Sequence, residues 1–259
     1  MTFEEWIKNP AGGKSAVMTH RDMYKDLYTS KFDKLLLREG NKFNYVCYKN
    51  KLGTEFVIHI KVPSEVVPNF YYDVVVAFST KNPALITDTN LNKYDVQFYT
   101  NSPDFVYTHC HAYVKAKLFF KPLEKRMNKL SLTKVAVERN PKDDVGYVKS
   151  IFFAYLIMKY HKLFAKVEYN NTYSDGLIVD TVRDADSVVA ARQEAEAKMK
   201  ADVRRERIKA KHKANEEARA QHGTNTSSMS KATKFVSRTP KVTSKFSKTT
   251  KRTGSTKRI

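Results

Sequence analysis

The chain has 259 residues, 41% of them hydrophobic and with 15 Phe and 15 Tyr, enough apolar material for one large domain with extensions. Its outlier is charge: 47 Lys and Arg against 27 Asp and Glu leave a net of +20, which says little about fold but points to an anionic partner. Two cysteines, Cys47 and Cys110, far apart and without metal-ligand spacing, exclude a disulfide scaffold and fit a reducing compartment.

At the start, Phe3, Trp6 and Ile7 are spaced to make one apolar helical turn that Asn9-Pro10 and Gly12-Gly13 terminate, so residues 1–18 read as a hook anchored by the single tryptophan. The polar, acidic opening MTFEEWIKNP is not expected to be a signal peptide. Thr19 caps a helix predicted over 20–39, with Met23, Leu27, Phe32, Leu35 and Leu36 as its apolar positions and Gly40 as its stop. The pattern then changes to period two. Phe43, Tyr45 and Cys47 alternate with polar residues, Gly53 supplies a turn, and Phe56, Ile58 and Ile60 alternate in turn, which predicts a β-hairpin. Residues 71–78 (YYDVVVAF) are apolar enough for a central strand, 80–93 read as a polar loop and 95–99 as a further short strand.

Helices are expected from there on. Ser102-Pro103-Asp104 is a strong helix start, predicting a helix to about residue 118. Pro122 opens a short helix and Ser131 another that ends before Pro141. Asp143 or Asp144 is expected to cap the most apolar helix, 147–164. Its run 151–158 lies between Lys149 and Lys159 and falls short of the ~18–20 residues needed to span a bilayer, so no transmembrane segment and no membrane partner is expected. Residues 169–180 read as a loop containing Gly176. A long helix rich in Ala, Glu, Lys and Arg is predicted from about 184 to 222, stopped by Gly223. Its apolar stripe is thin (Val188, Val189, Met199, Val203, Ile208), so it is expected to be solvated and supported by pairs such as Glu194–Lys198.

The charge is unevenly spread. Residues 190–259 hold 20 Lys and Arg against 6 Asp and Glu, leaving 27 against 21 for the first 189. Within 223–259 there are ten cations and no acid: Lys231, Lys234, Arg238, Lys241, Lys245, Lys248, Lys251, Arg252, Lys257 and Arg258. Ser and Thr fill most other places, so this arm is expected to be disordered on its own. Seven of these cations, from Lys231 to Arg252, step alternately by three and four, which would form one stripe if a polyanion ordered the segment. The ten residues are the expected nucleic-acid contacts, acting by counterion release and without base reading.

Other candidate chemistry is weaker. Gly12-Gly13-Lys14-Ser15 resembles the end of a P-loop, but Lys8 stands where its first glycine belongs. His109 and His111 flank Cys110, yet on a helix they point about 200° apart, and His59 is remote, so no metal site is expected. Asp73, Asp95 and Asp104, followed by Lys115 and Lys117, would be the carboxylates and lysines of a metal-dependent nuclease if the fold gathered them. Phe43, Tyr45, Tyr48, Tyr71 and Tyr72 interleave with Lys49, Lys51 and Lys61, a composition that stacks bases when it lies on an open sheet face and forms core when it does not. No cofactor motif is present.

Three stretches, EEWIKNP (4–10), PSEVVPNFYYDVVVAF (63–78) and NPKDDVGYVKSIFFAYL (140–156), resemble reading frames of tailed bacteriophages of gut and Gram-positive bacteria. The resemblance covers residues 1–168 and not the arm. That family has no settled activity, so the resemblance brings no catalytic residues. It implies a viral setting, in host cytoplasm or virion, where basic arms on small folded domains contact packaged genomes.

The expectation is an α+β fold: a small antiparallel sheet over 42–99 flanked by helix 19–39 and the helices of 103–168, which together make a globular domain 1–168. A linker 169–183, a long exposed helix 184–222 and a basic arm 223–259 follow. The expected function is a non-enzymatic, weakly sequence-specific DNA- or RNA-binding or virion-associated structural protein. The alternatives are a nuclease tethered by the arm and a scaffold whose long helix binds other viral structural proteins.

Overall fold

A computed structural model of the protein describes residues 1–10, 18–79, 91–165, 171–172 and 175–223. The chain divides into two units, Met1–Glu206 and Arg207–Ile259. The first is α+β, as its periodicities predict. Its sheet is built from β1 (Asn44–Lys49), β2 (Glu55–Pro63), β3 (Tyr71–Ser79) and β4 (Asp95–Thr100), each antiparallel to the next. A fifth strand, β5 (Asn171–Thr172), adds to β1 in parallel and gives the order β4-β3-β2-β1-β5. The sheet is therefore mixed, where a purely antiparallel one was expected. Two residues carry no period-two pattern, so β5 is invisible in the sequence of its expected loop.

The helices are α1 (Phe3–Lys8), α2 (Met18–Glu39), α3 (Cys110–Lys115), α4 (Lys129–Thr133), α5 (Lys149–Tyr160), α6 (Asp175–Thr181) and α7 (Ala185–Gly223). The Thr2 side chain accepts from the Glu5 amide at 3.2 Å, and the Glu5 carboxylate accepts from the Thr2 amide at 2.7 Å, so a capping box starts α1. After α2 the chain reverses through Gly40 at φ +60° and Asn41 at φ 63°. Of the expected apolar positions of α2, Phe32 and Leu35 are buried, whereas Leu27 is half exposed.

Both faces of the sheet are covered, because cross-strand partners share a face and alternate along each strand. On one face Phe78 and Phe98 meet Phe3 at 6.4 and 4.9 Å, and Trp6 lies 5.4 Å from Phe98. Helix α5 packs on this face against β2, β3 and β4. On the other, Tyr99 meets Phe119 at 6.2 Å and donates to the Arg126 carbonyl at 3.3 Å. This two-sided cover explains the unbroken apolar run of β3, in which Val74, Val75, Val76, Ala77 and Phe78 are all buried. The β4 edge is closed as well: Phe98 donates to Leu118, Phe120 donates to Phe98, and Val96 donates to Met1.

The helix expected over 102–118 is interrupted. A π-helical turn, Phe105–His109, precedes α3, and Lys117 at φ 61° ends it, freeing 118–120 to pair with the β4 edge. The Pro122 helix is a 3₁₀ turn, Lys121–Arg126, and the one expected from Ser131 shortens to α4 with turns behind it. Helix α5 starts from Val148, not from Asp143 or Asp144, whose segment is tied into a turn by Asn140: the Asp144 amide donates to the Asn140 carbonyl oxygen of its side chain at 3.1 Å. Its end comes at His161, earlier than expected, with Lys162 at φ 57°.

The stretch expected as a linker, 169–183, contributes β5, α6 and the buried Ile178 and Val182 to the folded unit. The long helix starts where expected, beside Asp184, whose carboxylate accepts from the Ser187 amide at 3.3 Å. The start of α7 is core, with Ala185, Val188 and Val189 buried, while 201–219 are exposed throughout. Its ion pairs are Arg192–Glu196, Glu196–Lys200, Asp202–Arg205 and Lys213–Glu217, in place of the expected Glu194–Lys198. No described helix is long and apolar enough to cross a membrane.

Trp6 is 0% exposed and donates from Nε1 to the Tyr113 hydroxyl at 2.8 Å, 107 residues away. Trp6→Phe keeps an aromatic ring and removes one of the two bonds of that hydroxyl, which still donates to the Gly146 carbonyl at 2.9 Å, and is expected to cost about 1 kcal/mol; Trp6→Ala, which also empties the site, about 3–5 kcal/mol. Urea denaturation measures both. A Trp6→Ala loss below that of Trp6→Phe would show that the hook is not part of the core.

Candidate functional site

The ten expected nucleic-acid contacts, Lys231, Lys234, Arg238, Lys241, Lys245, Lys248, Lys251, Arg252, Lys257 and Arg258, lie outside the described residues. So does Gly12-Gly13-Lys14-Ser15. The described part of the second unit is the helical stretch 207–223, and its side chains are exposed through 219. There Arg207, Lys209, Lys211, Lys213 and Arg219 face two acids, Glu216 and Glu217, of which Glu217 sits 3.9 Å from Lys213.

The three carboxylates of the nuclease alternative are not brought together. Asp95 pairs with Ser79, six residues along β3 from Asp73, which separates them by roughly 20 Å at ~3.3 Å per residue. Asp95 is exposed and bonds the Met1 amino group at 2.6 Å. Asp104 is exposed at the start of the π turn. Of the lysines, Lys115 pairs with Asp143 at 3.3 Å and Lys117 is exposed. Among the described residues no group of three or more His, Cys, Asp or Glu side chains is placed to hold a metal ion.

Asp73 instead centres a buried polar cluster. Its side chain is 1% exposed, on the sheet face opposite α5. One carboxylate oxygen lies 3.0 Å from Nε2 of His59, its neighbour on β2. The other accepts from Asn101 Nδ2 and from Arg183 Nε, each at 2.8 Å. Asn101 returns the contact, accepting from the Asp73 amide at 2.9 Å, and Arg183 also donates to the Tyr71 carbonyl and lies 6.0 Å over the Phe70 ring. Burial alone would raise the Asp73 carboxyl, but the hydrogen bond and charge of His59, with Arg183 and Asn101, hold it down at about 2. The arrangement holds the carboxylate with three donors, one on one oxygen and two on the other. With His59 itself 5% exposed, the cluster ties the sheet to the chain entering α7.

His109, Cys110 and His111 do not converge. His109 sits in the π turn, its Nδ1 buried without a partner and its ring against Gly146, and burial lowers its pKa. His111 turns to Asp143, with Nδ1 2.9 Å from both carboxylate oxygens. Burial pushes the Cys110 thiol up to about 12 and that of Cys47 up to about 11, so neither is a thiolate near neutrality. The interleaved aromatics do not make an open stacking face either. Phe43, Tyr48 and Tyr72 are buried, and Tyr45 packs 5.1 Å from the His161 ring.

A second basic region lies within the folded unit, where totals by chain half conceal it. Residues 115–142 carry nine cations, Lys115, Lys117, Lys121, Lys125, Arg126, Lys129, Lys134, Arg139 and Lys142, against Glu124 and Glu138 alone. All but the half-buried Arg126 are exposed. Counting charge in a sliding window, instead of by halves, would have found it.

Comparisons with protein-family models, with curated proteins and with solved structures find no match to this chain.

Asp73→Asn leaves the Arg183 guanidinium without its carboxylate and is expected to cost about 3 kcal/mol at pH 7, read by urea denaturation. Arg183→Gln should cost less, about 1 kcal/mol, because that side chain is 46% exposed. Folding depresses the Asp73 pKa, so the stability it adds is full above about pH 4 and is lost as pH falls towards 2. The gap between wild type and Asp73→Asn should therefore close across that window. A gap of constant size would assign the loss to shape instead of charge.

Proposed function

We propose that the protein is a non-enzymatic, weakly sequence-specific nucleic-acid-binding or virion-associated structural protein that grips phosphates through its C-terminal basic arm. One observation carries the reading: residues 223–259 hold ten cations and no acid, so the segment has no internal means of neutralising itself. Confining that many like charges is unfavourable, and a polyanion relieves it by releasing its own condensed counterions. The cations preceding the arm at 207–219 add to the same charge and are exposed. Lysine outnumbers arginine among the ten, which suits point-charge contact with phosphate over bidentate reading of bases. The phage setting rests on the three stretches at 4–10, 63–78 and 140–156 and remains part of the proposal.

The test keeps the chain at full length and replaces the ten arm cations by Gln. For wild type, log K against log salt on duplex DNA, single-stranded DNA and RNA should fall with a slope of about −0.7 to −0.9 per phosphate contacted, for roughly six to ten contacts. The variant should lose most of that slope and about 10³-fold or more in affinity at low salt. A variant that binds as tightly and with the same slope would remove the arm from the function. Absence of binding by wild type to all three nucleic acids would end the nucleic-acid reading.

A further inference from the structure

The folded unit Met1–Glu206 holds 32 Lys and Arg against 25 Asp and Glu. Residues 115–142 account for nine and two of these, so the rest of the unit is balanced at 23 each. Its whole positive excess thus lies in one short segment. Only two cations of the segment have a carboxylate within 4 Å among the described residues: Lys115 reaches Asp143 at 3.3 Å and Arg126 reaches Asp180 at 3.8 Å. Lys121, Lys125 and Lys129 have none, and they rim a groove of about 870 Å³ whose floor is Met127, Leu132 and Val179. Among the described residues, Glu124 is the only carboxylate in its lining.

The rim is held rigidly from beneath. Leu123, within the 3₁₀ turn, is fully buried. The Arg126 carbonyl accepts from Tyr99 of β4 at 3.3 Å, and Arg126 Nε donates to the Val179 carbonyl of α6 at 2.8 Å. The backbone that carries Lys121 and Lys125 is thereby tied to the fold, so these ammonium groups can reduce their mutual repulsion only by moving their side-chain stems.

We infer that this groove is a second phosphate-binding surface, built into the folded unit, that takes the sugar–phosphate backbone of a nucleic acid. The inference rests on the nucleic-acid reading above and adds a site to it. Unpaired lysines at four-residue steps offer point charges for phosphates. The apolar floor suits lysine stems and sugar faces, and among the described residues of its lining there is no aromatic ring to stack on a base. A backbone contact of this kind is sequence-tolerant, like the arm's.

The experiment uses the full chain with its arm intact. Lys121, Lys125 and Lys129 are changed to Gln together, and a control triple changes Lys34, Lys61 and Lys93, exposed lysines elsewhere on the unit with no carboxylate within 4 Å among the described residues. Both remove three charges. Thermal unfolding should be the same for both, since all six side chains are exposed. Binding to a short fluorescent duplex, to single-stranded DNA and to RNA is measured over a salt series. The groove triple is expected to reduce the salt slope by about 2 to 3, at up to 0.9 per phosphate, and affinity at low salt by about tenfold or more; the control should leave the slope unchanged. Equal effects of the two triples would overturn the site while leaving arm binding intact. Loss on polyglutamate but not on nucleic acid would also overturn it, giving the groove to an acidic protein segment. If wild type binds no nucleic acid, both readings fail together, whereas the ten-Gln arm variant retaining groove-dependent binding would separate them in favour of the groove.

Discussion

An ionised carboxylate that is 1% exposed survives only where donors surround it, and Asp73 imposes that demand on three distant parts of the chain. His59 answers from the neighbouring strand, Asn101 from the end of β4, and Arg183 from 110 residues further on. Each would be a poor partner alone. Together they hold the charge and thereby fix where the chain turns into α7. The buried residues just beyond, Ala185, Val188 and Val189, can cover apolar surface because Arg183 has already fixed their approach. The cluster is thus less a source of net stability than a device for choosing one docking of the last helix on the sheet, at the cost of removing a charge from water.

The other face of the sheet depends on the opposite end of the chain. Phe3 and Trp6 contribute two fully buried aromatic rings from a helix of six residues, too short to persist by itself. Its capping box and the Trp6–Tyr113 bond orient it, but packing on Phe78, Phe98 and Tyr155 is what holds it in place. With Met1 accepting from Val96 and its amino group bonded to Asp95, the terminus also helps to close the β4 edge. Two-sided cover then decides the fate of the tyrosine and lysine pattern. Aromatics alternating with lysines are equally compatible with a stacking platform and with a core whose lysines lie at its margins, and only the covering elements distinguish these.

What the sequence revealed and what it hid follow from the range of the interactions involved. Local chemistry was legible: the period-two strands β1 to β4, the stop at Gly40 and the alanine-rich helix that starts near Asp184. Elements made by tertiary context were not. β5 pairs only two residues with the β1 edge, and 118–120 leave the helix at Lys117 to pair with the β4 edge. Helix α6 is buried through Ile178, in a stretch that shows no helical period of its own. Asp73 is an intermediate case. A carboxylate inside YYDVVVAF announces that a partner must exist, since the surrounding strand is apolar, yet nothing local identifies His59, Asn101 and Arg183. Reading Asp73 with Asp95 and Asp104 as a metal set failed because strand register puts Asp73 and Asp95 at opposite ends of β3 and Asp104 lies beyond the sheet, at the start of the π turn.

The same distinction of scale governs the charge. A net of +20 suggests a uniformly basic molecule, but at physiological ionic strength a charge is felt over only about 8 Å. What a partner meets is local density, not the total. By that measure most of the folded unit is neutral, 23 cations being offset by 23 acids, and its cationic character belongs to residues 115–142. Unpaired lysines that share a rigid segment keep their repulsion in the folded state, a cost that a chain without an anionic partner could remove by a few lysine-to-glutamate changes. An anion seated in the groove that these lysines rim would relieve that repulsion.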